Sequence, residues 1–366
     1  MLNIALFSPN KNPYSETFIQ AQKKGLSGKV FYYYGSGDFF MLEGEERNIV
    51  RLNKLQKFRR RFFKAQTTFL RAENIAASLR KKKIDVILIQ YGNHAFSLLP
   101  ALKAAKLPFI VHFHGYDASV NDIIINSGGY KEVFERCKYC VAVSEVMYNQ
   151  LLKLGCPDFK LILNTYGPDP SFLKIEPKFF GKQIIGIGRF VNKKAPHLSI
   201  LAFAKVVEKH PDAQLLLAGS GVLYNCCIDL AQALNIEDKI RFLGVISPTE
   251  YRMELSRSVC FIQHSKTAQN GDMEGTPLAV LEASAAGVPI ISTNHAGIPD
   301  VVEHGKTGLL CAEGDVDAMA ENIIYLLDNP QIVKDMGQAG KIIVKKYFTM
   351  ERYISSLNEI IEKARA

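Results

Sequence analysis

The chain has 366 residues, more than one ordinary hydrophobic core accommodates, so two domains are expected. At 48% apolar and 22% charged residues it is composed like a soluble globular protein. No stretch approaches the ~20 apolar residues of a membrane span, and the start lacks the basic and apolar regions of a signal peptide, so a cytoplasmic location is expected. The formal net charge of +9 is lopsided: residues 1–170 hold 24 Lys and Arg against 14 Asp and Glu. Twelve of those basic groups fall in residues 51–83, beside the single acid Glu73.

In chain order, Leu2–Phe7 reads as a buried strand, Ser15–Leu26 as a helix and Lys29–Tyr34 as a second strand. Residues 38–50 look like a mobile connection. Residues 51–83 have a helical pattern in which Phe and Leu interleave with Lys and Arg. Three readings stay open for this segment: a solvated helix face, contact with an anionic membrane surface through Arg59, Arg60, Arg61 and Lys64, or nucleic-acid binding. No nucleic-acid module supports the last, and no nucleic-acid partner is expected.

Strands at 84–89, 109–113, 139–143 and 160–163 then alternate with helices, which argues a parallel sheet covered on both faces. The turn-rich stretch Asn164–Ser171 places a domain boundary at about 170. The alternation restarts with strands at 183–187, 213–218, 239–243, 259–263, 288–292 and 307–311. Two helical segments close the chain. The fold class is therefore α/β, with two doubly wound domains and a ligand cleft expected at the C-terminal ends of the strands.

Four stretches could carry chemistry. Glu274-Gly-Thr-Pro-Leu-Ala-Val-Leu-Glu282 reads as a loop feeding a helix, with Thr276 as N-cap, Pro277 at the first helical position and Gly287 at the end. Its two glutamates, eight apart, would lie roughly 10 Å apart along the axis, suited to two ends of one extended ligand. Gly186-Ile-Gly188-Arg189, with Lys194 before a helix, follows a strand and is a place to bind phosphate; as an isolated loop it reads equally as a solvated surface turn. Ala218-Gly-Ser-Gly221 is a second glycine turn. His114, in His112-Phe-His-Gly-Tyr-Asp117, ends a strand and is the histidine best placed to face the cleft. His264 and His295 are weaker candidates. Cys137-Lys-Tyr-Cys140 stands alone and reads as buried apolar cysteines, and no carboxylate cluster or histidine spacing suggests a metal site.

Taken together, HFHGYD, GRFVNKKAP, AGSG, EGTPLAVLEASAAGVPII and STNHAGIPDVVEHGKTGLL, in that order, resemble the family-4 retaining glycosyltransferases of GT-B fold. PYSETFI near the start looks like members that build surface polysaccharides such as exopolysaccharide or lipopolysaccharide. The resemblance implies two Rossmann-like domains facing a central cleft: 1–170, completed by a terminal helix at 348–366, and 171–347. It implies transfer of a sugar from a nucleotide-sugar, expected to be a UDP-sugar, to a saccharide or lipid-linked saccharide, with retention and without a metal. It implies that Arg189 and Lys194 clamp the diphosphate and Glu282 holds the ribose. Glu274 would hold the transferred sugar, with Gly188, Gly275, Thr276, Pro277 and Leu278 around the donor. His114 would lie near the reacting carbon and Ser15 and Glu16 on the acceptor side. The implied location is the inner face of the cell membrane. The competing reading is a catalytically silent binding protein of the same fold docked on the membrane. Ala195 stands where glycine is frequent in the family, and Ala268–Asp272 lengthens the loop before Glu274, suggesting a lid.

Overall fold

The computed structural model describes residues 1–11, 16–50, 64–179 and 181–365, and only the backbone of 64–67. Ser15, Arg59, Arg60 and Arg61 therefore lie outside the described residues. So does the segment 51–63, the first part of the basic stretch. The chain divides into two units, Met1–Asn164 with Tyr353–Ala366, and Thr165–Arg352. The division thus falls at 164/165 rather than 170, because Gly167 already packs on the backbone of Thr349 and Met350.

In the first unit a seven-stranded sheet has the order β3-β2-β1-β4-β5-β6-β7. Its strands are β1 Asn3–Ser8, β2 Lys29–Ser36, β3 Phe39–Leu42, β4 Val86–Gln90, β5 Phe109–His112, β6 Tyr139–Ala142 and β7 Leu161–Leu163. All neighbours pair in parallel except β2 with β3. Every residue of β4 and β5 is buried, as expected of parallel strands covered on both faces. The expected mobile connection at 38–50 is instead an ordered edge. The Asn48 side chain accepts from the Phe40 and Val50 amides and donates to the Asp38 carbonyl, which fixes β3 on β2.

The helix Lys64–Lys81 buries Ala72, Ile75, Ala76 and Leu79, and leaves Phe69 exposed. Arg71 pairs with Asp38, and Arg80 with Glu73. The terminal helix Met350–Arg365 buries Tyr353, Leu357, Ile360 and Ile361, and from Tyr353 onward it belongs to the first unit.

The second unit's sheet runs β10-β9-β8-β11-β12-β13 and is parallel throughout. Its strands are β8 Gln183–Ile187, β9 Gln214–Ala218, β10 Ile240–Gly244, β11 Cys260–Gln263, β12 Ile290–Thr293 and β13 Gly308–Cys311. Its core joins Ile184, Leu215, Leu217 and Ile262 to Ile200 and Phe203 of helix Pro196–Lys209 and to Ile323 and Leu326 of helix Val316–Asp328. In both sheets the strand order reverses about the first strand, between β1 and β4 and between β8 and β11. The C-terminal ends of those strands are the switch points where doubly wound folds bind ligands.

Candidate active site

In the second unit the residues after β8 and β11 converge. Gly188 and Gly219 touch backbone to backbone: a Cβ on Gly219, whose φ is +129°, would stand 1.9 Å from the Gly188 carbonyl oxygen. The turns after β8 and β9 therefore stack as one floor. Arg189 is exposed above it. A short 3-10 turn, Asn192–Lys194, then turns the two lysines in opposite ways. Lys193 Nζ donates to Asp272 Oδ1 and the Met273 carbonyl, each at 2.9 Å. Lys194 Nζ lies 3.1 Å from Glu274 Oε2 and donates to Gln263 Oε1, the last residue of β11, at 3.1 Å.

Ala195, in the left-handed region at φ +37°, makes the sharp entry to helix Pro196–Lys209. That explains why glycine is frequent there in the family this chain resembles: a left-handed alanine carries roughly 1–2 kcal/mol of strain.

Glu274 is buried and ionised. Burial pushes its carboxyl up, but the Lys194 and Lys193 ammonium groups outweigh that and hold it down at about 2. Lys194 in turn is pulled below the usual lysine range by burial, opposed by Glu274. Glu274 Oε1, also buried, has no hydrogen-bond partner among the described residues. A buried carboxylate oxygen without a donor is costly, and a ligand hydroxyl would relieve it.

The Glu274 amide is held from behind. It donates to His295 Nε2 at 3.1 Å, and His295 Nδ1, 2.6 Å from Glu313 Oε1, is therefore the protonated nitrogen. The Thr267 amide donates to the other Glu313 oxygen. Ala268–Asp272, read from sequence as a lid, is a closed turn: Ala268 N–H donates to the Asp272 carbonyl at 3.0 Å, and Lys193 ties it down.

The helix after Glu274 starts at Leu278, not at Pro277. Pro277 has extended backbone, ψ 116°, and it, not Thr276, stands at the N-cap position. Thr276 and Pro277 are buried beside Gly275, whose carbonyl accepts from the Gly297 amide at 3.0 Å. Gly287 ends the helix in the left-handed region at φ +79°. With the later start, Glu282 sits little more than one turn in. Burial, and then Asp169, push its carboxyl up to about 8 against the pull of Arg252. Nearby, the buried Tyr251 hydroxyl has no hydrogen-bond partner among the described residues. Glu274 and Glu282 thus differ in charge as well as place, one held ionised and the other held protonated near neutral pH.

In the first unit, His114 follows β5, the strand next to β4 of the switch point. Its ring stacks on His112 (centroids 4.5 Å, interplanar 9°) and on Phe18 (4.5 Å), with Tyr91 at 4.6 Å. Its Nε2 lies 2.8 Å from Gln90 Oε1 at the end of β4. Burial, then the neighbouring His112, hold His114 well below the ordinary histidine range, so the ring is neutral. Asp117 fixes the backbone around it, accepting from the amides of Gly92, His114 and Gly115 at 2.9–3.1 Å. Glu16 precedes helix Thr17–Gly25 and accepts from the Tyr91 hydroxyl at 2.8 Å.

The structure therefore gathers Gly188, Arg189, Lys194, Glu274 and Gly275–Leu278 in one unit, and His114 and Glu16 in the other. Sequence reasoning passed over Lys193, Asp272, Glu313, Gln90 and the anchoring role of Asp117. Gln90 carried one signal, its place as the last residue of a buried strand. His264 Nε2 accepts from the Gly314 amide, a structural role. Cys137 and Cys140 are buried free thiols with sulfurs 3.5 Å apart. Among the described residues, no three His, Cys, Asp or Glu side chains converge to hold a metal ion, and no helix is long and apolar enough to cross a membrane.

Residues 175–342 match the family "Glycosyl transferases group 1", and residues 25–166 match "Glycosyltransferase Family 4". The amylovoran biosynthesis glycosyltransferase AmsK of Erwinia amylovora is 27% identical over 79% of this chain and 72% of its own length. The putative colanic acid biosynthesis glycosyltransferase WcaL of Escherichia coli is 28% identical over 66% of this chain and 61% of its own. Among solved structures, Anabaena Alr3699/HepE in complex with UDP-glucose superposes with a TM-score of 0.80 at 14% identity, covering 99% of this chain and all of that one, a likeness of fold. With each half of the chain matched in turn, and with two doubly wound sheets to carry the motifs, this protein belongs to the family-4 glycosyltransferases of GT-B fold.

Proposed function

We propose that the chain transfers a sugar from a UDP-sugar to a saccharide or lipid-linked saccharide, with retention at the anomeric carbon, in the building of a surface polysaccharide. One observation carries the reading: the buried Lys194–Glu274 pair at the second unit's switch point, 3.1 Å apart, with Glu274 Oε1 lacking a donor. A cation and an unsatisfied carboxylate side by side suit a phosphate joined to a polyhydroxylated ring. Arg189 and Lys194 neutralise the diphosphate, Glu274 accepts from a sugar hydroxyl, and Glu282, protonated, donates to or accepts from the ribose diol. The relatives named for amylovoran and colanic acid biosynthesis support the polysaccharide setting, and the UDP-glucose of the HepE complex supports the donor.

In the proposed step the bond from C1 to the phosphate oxygen breaks and a bond from C1 to the acceptor oxygen forms on the same face. The acceptor's proton passes to the departing phosphate, so atoms and charge balance. Glu274 and Glu282 bind; neither is the nucleophile of a two-carboxylate glycosidase. Lys194 and Arg189 stabilise the leaving group's charge. Ser15 and Glu16 are assigned to the acceptor side.

A donor-hydrolysis and thermal-shift panel of UDP-, GDP- and ADP-sugars tests the reading. Stabilisation and slow hydrolysis of a UDP-sugar is expected, and silence toward all three would overturn it. Full activity in EDTA is expected of an Arg/Lys clamp. Peripheral attachment to an anionic membrane through Arg59–Arg61 and Lys64 belongs to the same proposal. Exchanging the three arginines for glutamine should weaken binding to anionic vesicles, and unchanged binding would remove it.

A further inference from the structure

Glu274 is held at both ends. Its carboxylate end is fixed by Lys194, whose Nζ lies 3.1 Å from Oε2. Its backbone end is fixed by the segment that follows β12. The Glu274 amide donates to His295 Nε2 at 3.1 Å, and the Gly275 carbonyl accepts from the Gly297 amide at 3.0 Å. These holds fix the direction of the other carboxylate oxygen, the buried Oε1 that lacks a donor.

The His295 contact differs from the rest, because a ring that makes it must itself be oriented. A backbone amide can only donate, so His295 Nε2 is bare and the proton sits on Nδ1. A doubly protonated ring would set one N–H against another. The Nδ1–H points at Glu313 Oε1, 2.6 Å away, the short length of a bond to an ionised acceptor. Burial pushes the Glu313 carboxyl up, but the bonds from His295 and the Thr267 amide outweigh that and keep it ionised. Glu313 is placed in turn from both sides. The Thr267 amide donates to Oε2 at 2.8 Å, and the amide of the next residue, Gly314, donates to His264 Nε2 at 2.8 Å.

The line runs from the surface inward. The Glu313 side chain is 35% exposed and that of His295 is fully buried. The Glu274 side chain at the far end is 8% exposed. A carboxylate so exposed adds little to the core. Its contribution is direction, as when a second group orients a histidine ligand or base.

We propose that the Glu313 carboxylate, acting through the His295 ring on the Glu274 amide, sets where the Glu274 carboxylate presents its unpartnered oxygen, and that Glu313 and His295 are positioning residues for the sugar end of the donor. The consequence for turnover rests on the glycosyl-transfer reading above; the relay to the Glu274 amide does not. Arg189, Lys194 and Glu282 stand outside the relay, so the nucleotide end should not feel it.

The test begins with NMR of the full 15N-labelled chain near neutral pH. In the wild type, His295 should carry its proton on Nδ1. A cross-peak should join the Glu274 amide nitrogen to His295 Nε2 through the N–H···N hydrogen bond. Glu313→Ala should leave the melting temperature within about 2 °C, since water reaches the vacated place. It should weaken that cross-peak and lower kcat for donor hydrolysis about ten- to a hundredfold, as a small misplacement of a reacting group does. UDP affinity by calorimetry should stay at the wild-type value. His295→Phe should lose at least as much activity, and adding Glu313→Ala to it should cost nothing further, because Glu313 acts through the ring. A wild type without the cross-peak, an unchanged kcat in Glu313→Ala, or losses that add in the double variant each overturn the proposal. If every donor is silent, the glycosyl-transfer reading falls by itself. Weakening or survival of the cross-peak in Glu313→Ala then decides the relay, and the wild-type spectrum decides it if the variants do not fold.

Discussion

The two units place their functional side chains alike and treat them oppositely. Each puts them just beyond the C-terminal end of a strand and follows them with a left-handed turn, Gly115 after His114 and Ala195 after Lys194. In the first unit the group is neutral: His114 is packed among aromatic rings and joined to amides and a phenol. In the second the groups are charged: Glu274 is pinned between two lysines, and each lysine has its own acidic partner. A neutral site orients through hydrogen bonds of fixed direction, whereas a charged site works through field. Donor phosphates call for the second, and a sugar or acceptor hydroxyl is met well enough by the first.

Removing the charge from one side is the hardest blow to that contrast. Lys194→Ala leaves Glu274 buried with a weaker counter-charge, so two losses are expected. Transfer should fall about 10²–10³-fold, as for loss of one group that stabilises leaving-group charge. The fold should lose about 3 kcal/mol from the uncompensated carboxylate. The double variant Lys194→Ala/Glu274→Gln separates them: chemical denaturation should show most of the stability restored, while a donor-hydrolysis assay stays near background. Recovery of hydrolysis in the double variant would show that Lys194 serves the fold alone.

His114→Ala should cost less and cost differently. One buried hydrogen bond to a ligand is worth about 1.5–2 kcal/mol, so kcat should drop about ten- to thirtyfold. Donor affinity, read by calorimetry with the nucleoside diphosphate, should not change, since the charged side is untouched. An equal loss in nucleotide affinity would erase the distinction between the two sides.

The architecture was legible from sequence because doubly wound sheets announce themselves locally: apolar runs, then helical periodicity, repeated. Where the reading failed, a single distant or backbone detail decided. Residues 38–50 look polar and loose, yet the Asn48 side chain closes them onto β2. Thr276 has the chemistry of a cap, but the extended Pro277 takes the N-cap position and the helix starts one residue later, at Leu278. The site divides in the same way. Gly188, Arg189, Lys194, Glu274 and Glu282 sit in short motifs and could be named outright. Lys193, Glu313 and Tyr353 act across long separations, and neither spacing nor residue type betrays them. The opposite protonation of the two glutamates was also invisible, because it depends on which cations the fold brings to each.

That opposition within the second unit gives a pH test. Glu274, depressed to about 2, adds stability that is present above its unfolded pKa and lost as pH falls through about 2. Glu282 is raised to about 8, so its contribution is full below its unfolded value near 4.5 and is lost as pH rises through about 8. Glu282→Gln keeps the neutral shape at every pH. Its melting temperature should match the wild type near pH 4.5 and exceed it by pH 8, by a margin worth roughly 2 kcal/mol once the partial exposure of the residue is allowed for. A margin that stays constant with pH would mean that Glu282 is ionised throughout.

The smallest effect expected concerns the turns themselves. Gly115 meets its left-handed φ of +146° without strain, whereas Ala195 holds +37° with a Cβ. Ala195→Gly should relieve roughly 1–2 kcal/mol of strain and surrender part of it to the greater freedom of the unfolded chain. A net gain of about 0.5–1 kcal/mol in chemical denaturation follows. Donor affinity sharpens the result. If Ala195 only links Lys194 to the helix Pro196–Lys209, the variant should bind donor as the wild type does. If the strain is what drives Lys194 toward Glu274 and away from solvent, the more stable variant should bind donor more weakly, and the two units would differ in their turns for a reason.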